Sequence, residues 1–120
     1  MKATILTVLT FFLFNACTEY KTKEITDFSK PQVFILVDKV KPAGSIEFYV
    51  KGNIDGKIIV TLRESHNEKA HFGHTMLFGK IDTLLQSGDW YNDTIYMDIK
   101  PLGVAKGNLS IKYVIHGSII

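Results

Sequence analysis

"SIEFYVKGNIDGKIIVTLRE", residues 45–64, decides the fold class. Ile46, Phe48 and Val50 alternate with Glu47, Tyr49 and Lys51, the two-residue period of a strand with one side in a core. The segment "KIIVTLRE" follows across "GNIDG", residues 52–56. Gly52, Asn53, Asp55 and Gly56 are turn formers able to take positive φ, so the whole stretch predicts a hairpin.

Working outward, further strands are expected at "QVFILVDKV" (32–40), "TIYMDIK" (94–100) and "NLSIKYVI" (108–115). In the last, Leu109, Ile111, Tyr113 and Ile115 share one face, with Ser110, Lys112 and His116 on the other. Between these runs lie "KPAG", "SGDWYND" and "PLGVAKG", turn chemistry by their Gly, Pro, Asn and Asp content. Residues 71–85, "HFGHTMLFGKIDTLL", read as two strands broken at Gly79, although Ile81, Leu84 and Leu85 also match a helical turn. The pattern predicts an all-β chain forming a single β-sandwich of about seven strands, immunoglobulin-like or transthyretin-like. No repeat of about 20 to 50 residues marks a solenoid or propeller.

The opening residues, "MKATILTVLTFFLFNAC", place one charge at Lys2 before an apolar or hydroxylated run over residues 3–14. A cationic start followed by a hydrophobic segment is the layout of a secretory signal. A permanent span needs about 20 apolar residues and this run supplies about 12, so removal is expected. Ordinary signal cleavage after Ala16 would set bulky Phe14 where a small residue is favoured.

Leu13-Phe14-Asn15-Ala16-Cys17 instead resembles the lipobox of bacterial lipoprotein precursors, with a large apolar residue three before the cysteine and a small one directly before it. The resemblance implies that residues 1–16 are a cleaved signal peptide and that Cys17 is the lipidated first residue of the mature chain. Each buried methylene contributes about 0.8 kcal/mol, so two or three acyl chains on one residue would suffice as a membrane anchor. Cys17 is the only cysteine, so the fold must be stable without disulfides. Thr18, not aspartate, follows it; under the best-known lipoprotein sorting rule this resembles an outer-membrane destination rather than an inner-membrane one.

After the cysteine, "TEYKTKEITDFSK" (18–30) is polar and charged up to Pro31. It reads as a flexible tether spanning roughly 20 Å, with residues 31–120 as the folded domain. The other reading is a first strand pairing onto an edge, using Ile25 and Phe28.

A formal charge of +2 over 120 residues, with one arginine, Arg63, gives no basis for nucleic-acid binding. His66, His71 and His74 lie close together with Glu64 and Glu68, the right atoms for a zinc site. Gly73 argues against the helix that would make them converge, and the other reading is a solvated loop between strands. "GDWYND" holds the only tryptophan, Trp90, beside Tyr91. As an exposed pair they would be candidate partner-binding anchors; alternatively Trp90 plugs one end of the sandwich. The chain has no G-x-S-x-G elbow and no phosphate-binding glycine loop, and its acids are scattered.

The sequence thus predicts a lipid-anchored envelope lipoprotein without enzymatic activity or a cofactor beyond the covalent lipid. It would act as a small protein-binding or scaffolding module, with an envelope protein as partner. The competing readings are a periplasmic ligand- or metal-binding lipoprotein using the histidine loop, and a small exported hydrolase.

Overall fold

The computed structural model describes residues 19–65 and 74–118, none of them helical. They form five strands: β1 (Lys21–Ile25), β2 (Gln32–Val37), β3 (Ala43–Arg63), β4 (His74–Asp89) and β5 (Thr94–Gly117). All pairings are antiparallel and belong to one sheet, ordered β1-β5-β3-β4, with β2 also on β5. The chain is all-β, as its alternation predicts.

Five strands stand where about seven were expected, because three run through the segments read as turns. "GNIDG" is not a hairpin tip: β3 continues across it and pairs with β5 on both sides, Asn53 opposite Asn108 and Lys57 opposite Leu102. The reason is Ile54, only 2% exposed, which sits in phase with Ile46, Phe48, Val50, Ile58, Val60 and Leu62. A hairpin tip would put that side chain into water; an unbroken strand buries it. "PLGVAKG" lies inside β5 in the same way, with Ala105 in phase with Ile99 and Leu109. Gly79 lies inside β4, which has no helical turn.

What the turn formers supply is a bend. At about 3.3 Å per residue a straight 24-residue β5 would span roughly 80 Å, yet the longest dimension of the structure is 55 Å. Between Lys106 and Leu102, residues 103–105 oppose only Gly56, a register shift that kinks the sheet. Gly56, Gly79 and Gly103 all have positive φ. A Cβ on Gly56 would lie 2.3 Å from the Val104 carbonyl oxygen, so no other residue fits there.

The bend divides the sheet into two halves. The first joins β1 to residues 107–117 of β5, 43–55 of β3 and 79–89 of β4; the second joins β2 to residues 94–102, 57–63 and 74–78 of the same strands. The inward side chains of both halves form one core, including Phe48, Ile58, Ile95, Met97, Leu109 and Ile111, each fully buried. Polar contacts tie the halves together. The Tyr113 hydroxyl donates to the Val37 carbonyl at 3.3 Å, and the Ile115 amide donates to Asp38 Oδ2 at 2.9 Å. The result is a sandwich-like arrangement made by one folded sheet.

The segment read as a tether holds β1, paired from Lys21 opposite Tyr113 to Ile25 opposite Leu109. Ile25 and Phe28 enter the core at 3% and 2% exposure. Two buried apolar side chains offset the ordering of this short stretch, and the folded unit therefore begins before Pro31.

Candidate interaction surface

Inward alternation on β3 and β5 leaves a complementary outward set. On the second half-sheet that set is apolar at both flanks: Val33, Ile35 and Val37 on β2, and Met76 and Phe78 on β4. Val33, Ile35, Met76 and Phe78 are 56%, 61%, 47% and 60% exposed. Ile59, opposite Met76, and Leu102, opposite Lys57, carry the surface across β3 and β5. A small domain rarely leaves two clusters of such side chains in water without a use for them.

A polar row crosses the middle of this surface, in which Val33, Asp98, Thr61 and His74 are successive neighbours on β2, β5, β3 and β4. Arg63 Nε donates to Asp98 Oδ2 at 2.7 Å and Nη2 donates to Oδ1 at 2.9 Å, a bidentate ion pair. Hydrogen bonding to Asp98 pushes the guanidinium pKa still higher, and its carbon lies 5.7 Å from the Tyr96 ring centroid. Thr61 Oγ1 and His74 Nδ1 share a hydrogen bond at 2.7 Å. An open recess of about 470 Å³ lies here, lined by Ile59, Thr61, His74, Asp98 and Lys100.

These polar groups are committed to one another, and among the described residues no buried side-chain nitrogen or oxygen lacks a partner. The row orients strands and keeps its charges paired. The surface around it offers apolar area, suited to covering by another apolar surface.

The side chains singled out by sequence fall in three places. Trp90 is fully buried, its amide donating to the Gly44 carbonyl at 3.1 Å and its Nε1 to the Thr94 carbonyl at 3.2 Å. It plugs the end of the fold between β4 and β5, so it is not a surface anchor. Tyr91 is 67% exposed, and the nearby Asp89 charge raises its hydroxyl pKa. The two neighbours therefore face opposite ways.

His74 is exposed at the start of β4, bonded to Thr61. His66 and His71 lie outside the described residues, as do Cys17 and the signal segment. Among the described residues no three His, Cys, Asp or Glu side chains gather into a cation site.

Sequence reading missed the outward apolar residues. A signal for them existed: "QVFILV" is apolar without alternation from Val33 to Val37, as is "MLF" from Met76 to Phe78. An unalternating run on an edge strand means apolar side chains on both faces. No known protein family, characterised protein or solved structure matches the chain.

Proposed function

We propose that the chain is an exported bacterial lipoprotein, acylated at Cys17 and held at the cell envelope, at the outer membrane by the Thr18 rule. It presents a small sandwich-like domain as a protein-binding or scaffolding module. The observation that carries the binding role is the outward apolar surface of the second half-sheet, with Val33, Ile35, Met76 and Phe78 about half exposed or more. The lipobox-like "LFNAC" supports the anchor. Binding replaces water over the apolar flanks of that surface with a complementary apolar one, while Lys57 and Lys100, exposed on the central strands between them, offer charges for a partner's acidic or polar groups. Confinement to a membrane raises the effective concentration of a partner held in the same plane.

Because β1 begins at Lys21, only three residues separate it from Cys17, four Cα steps with a reach of at most about 14 Å. The domain sits close to the headgroups instead of standing off on a long tether. This shortness favours a partner at the same membrane.

Intact-mass measurement of the protein extracted from its native envelope tests the anchor. The expected mass is that of a chain starting at an acylated Cys17; a free thiol would contradict it. Cys17→Ser is expected to move the protein from the membrane to the soluble fraction. In the same extracts Phe78→Asp is expected to release a bound protein partner, and a complex indifferent to that change would contradict the assignment of the surface.

A further inference from the structure

Three strands bound the sheet among the described residues, and two of them are guarded. β1 is five residues long and carries Lys21, Lys23 and Glu24. β4 carries Lys80 and Asp82, two positive-φ glycines, and a register shift at Leu85. Charges, short length and bulges are the devices by which sheets refuse a new strand. β2 carries none of them in its own residues: Gln32–Val37 is uncharged, unbulged and pairs with β5 along its whole length, the nearest ammonium being that of Lys23 on β1, 5.4 Å from the Phe34 ring centroid.

Its hydrogen-bonding sense is fixed. The Asp38 amide donates to the Asp93 carbonyl at 2.9 Å, in phase with the pairing of Gln32 with Ile99. Backbone groups alternate sides along a strand, so even-numbered residues of β2 face β5 and Val33, Ile35 and Val37 face the open edge. The Val37 carbonyl accordingly is turned away from the β5 backbone; it accepts from the Tyr113 side-chain hydroxyl at 3.3 Å and keeps its second lone pair for a new strand.

We propose that two copies of this chain join antiparallel through the open edges of β2, about a two-fold axis at Ile35. "VFILV" is close to a palindrome. Rotation about Ile35 sets Val33 against Val37, Phe34 against Leu36 and Ile35 against its own counterpart. Every side chain meets an apolar one on its own face of the sheet, and no like charges oppose. Self-complementarity is what an isologous interface requires, whereas an unrelated strand has no need of it; that commits the edge to a second copy. The inference rests on reading this surface as protein-binding and names the occupant of its β2 border.

Disulfide trapping on the full chain, extracted from its native envelope in mild detergent, tests it. At the axis two Ile35→Cys thiols sit on a directly opposed, hydrogen-bonded pair with Cα atoms about 5.5 Å apart, within disulfide reach. Two Val33→Cys thiols would sit four positions apart along the strands, about 13 Å. Gentle oxidation is expected to link Ile35→Cys into a dimer at least about tenfold more than Val33→Cys. Failure of Ile35→Cys to link, or equal linking of both variants, overturns the pairing. Sedimentation gives a second reading without new thiols. Ile35→Lys, an exposed site, should melt like the parent and weaken the dimer about tenfold or more by opposing two ammonium groups; an unchanged dimer would refute the axis. Peptide mapping reports the mass of the Cys17 peptide separately, so loss of the anchor is recorded independently of the pairing.

Discussion

The two outer faces of the folded sheet share β3, β4 and β5 and differ in the residues those strands turn outward. On the first half-sheet, Glu47 accepts a hydrogen bond from the Tyr49 hydroxyl at 2.9 Å and meets His116 Nε2 at 2.5 Å. Lys112 Nζ lies 4.4 Å from the Tyr20 ring centroid, and Ser110 Oγ donates to Glu24 at 2.7 Å. Leu84, opposite Tyr49, is the one large exposed apolar side chain on that face among the described residues. Beyond the bend at Gly56 and Gly103 the outward positions turn to Ile35, Met76 and Phe78. Alternation does not change at the bend; only the choice of outward residue does. Folding constrains the inward set, which is apolar along β3 and β5 wherever it is buried, and makes no demand for apolar residues outside. What remains to explain them is a contact, and that is the basis for the binding surface.

The contrast between inside and outside breaks most severely at Trp90. Trp90→Ala is expected to cost about 3–5 kcal/mol in urea unfolding, while Tyr91→Ala beside it stays within about 0.5 kcal/mol. Comparable losses would mean that Tyr91 too packs in the core.

A smaller effect tests the polar row within the apolar face. Asp98→Ala removes the bidentate partner of the Arg63 guanidinium, whose side chain is 13% exposed, and is expected to cost about 2 kcal/mol. Asp82→Ala on the other half, at an exposed position, should cost under about 0.5 kcal/mol. Equal losses would remove the distinction between a structural ion pair and a solvated charge.

On the polar face, Glu47→Gln is expected to cost less than about 1 kcal/mol. Its pH dependence has a definite sign. Hydrogen bonds from His116 and then Tyr49 lower the folded-state pKa of Glu47 below its ordinary 4.5. A depressed carboxyl contributes stability above its unfolded value, and the contribution disappears as pH falls through the folded value. The difference between parent and Glu47→Gln should therefore close below pH about 4.5, as measured by urea melts across that range. A gap that widens on acidification would reverse the assignment.

The smallest effect on stability falls on the surface itself: Phe78→Ser is expected to leave the melting temperature within about 2 °C. A large loss there would make Phe78 a core residue and weaken the case for a docking surface.

The fold class was legible because alternation persists for long distances. Ile46 to Leu62 on β3 and Ile95 to Ile115 on β5 keep one phase each. The same phase held the correction to the hairpin: Ile54 and Ala105 stay in step through segments full of glycine, and two strands joined by a tight turn would not need them to. Glycine and asparagine at a bend look like glycine and asparagine at a turn, because both need positive φ or close backbone approach. β1 was hidden because its partner lies 86 residues away, as for Glu24 and Ser110, and its burial rests on Ile25 and Phe28 alone. Trp90 and Tyr91 are equivalent by composition; only the end of the fold decides which one is covered. The docking surface went unseen because a run such as "QVFILV" reads equally as a central strand, and edge position is a property of the topology.

The most direct test of the central claim is native gel electrophoresis of mild-detergent envelope extracts, comparing the parent with Phe78→Asp on the apolar face and Lys51→Asp on the polar face. The parent and Lys51→Asp are expected to migrate in the same complex, and Phe78→Asp, still folded, is expected to be lost from it. A complex that survives Phe78→Asp, or that both changes disrupt alike, would contradict the claim that the apolar outer face is where this protein is bound.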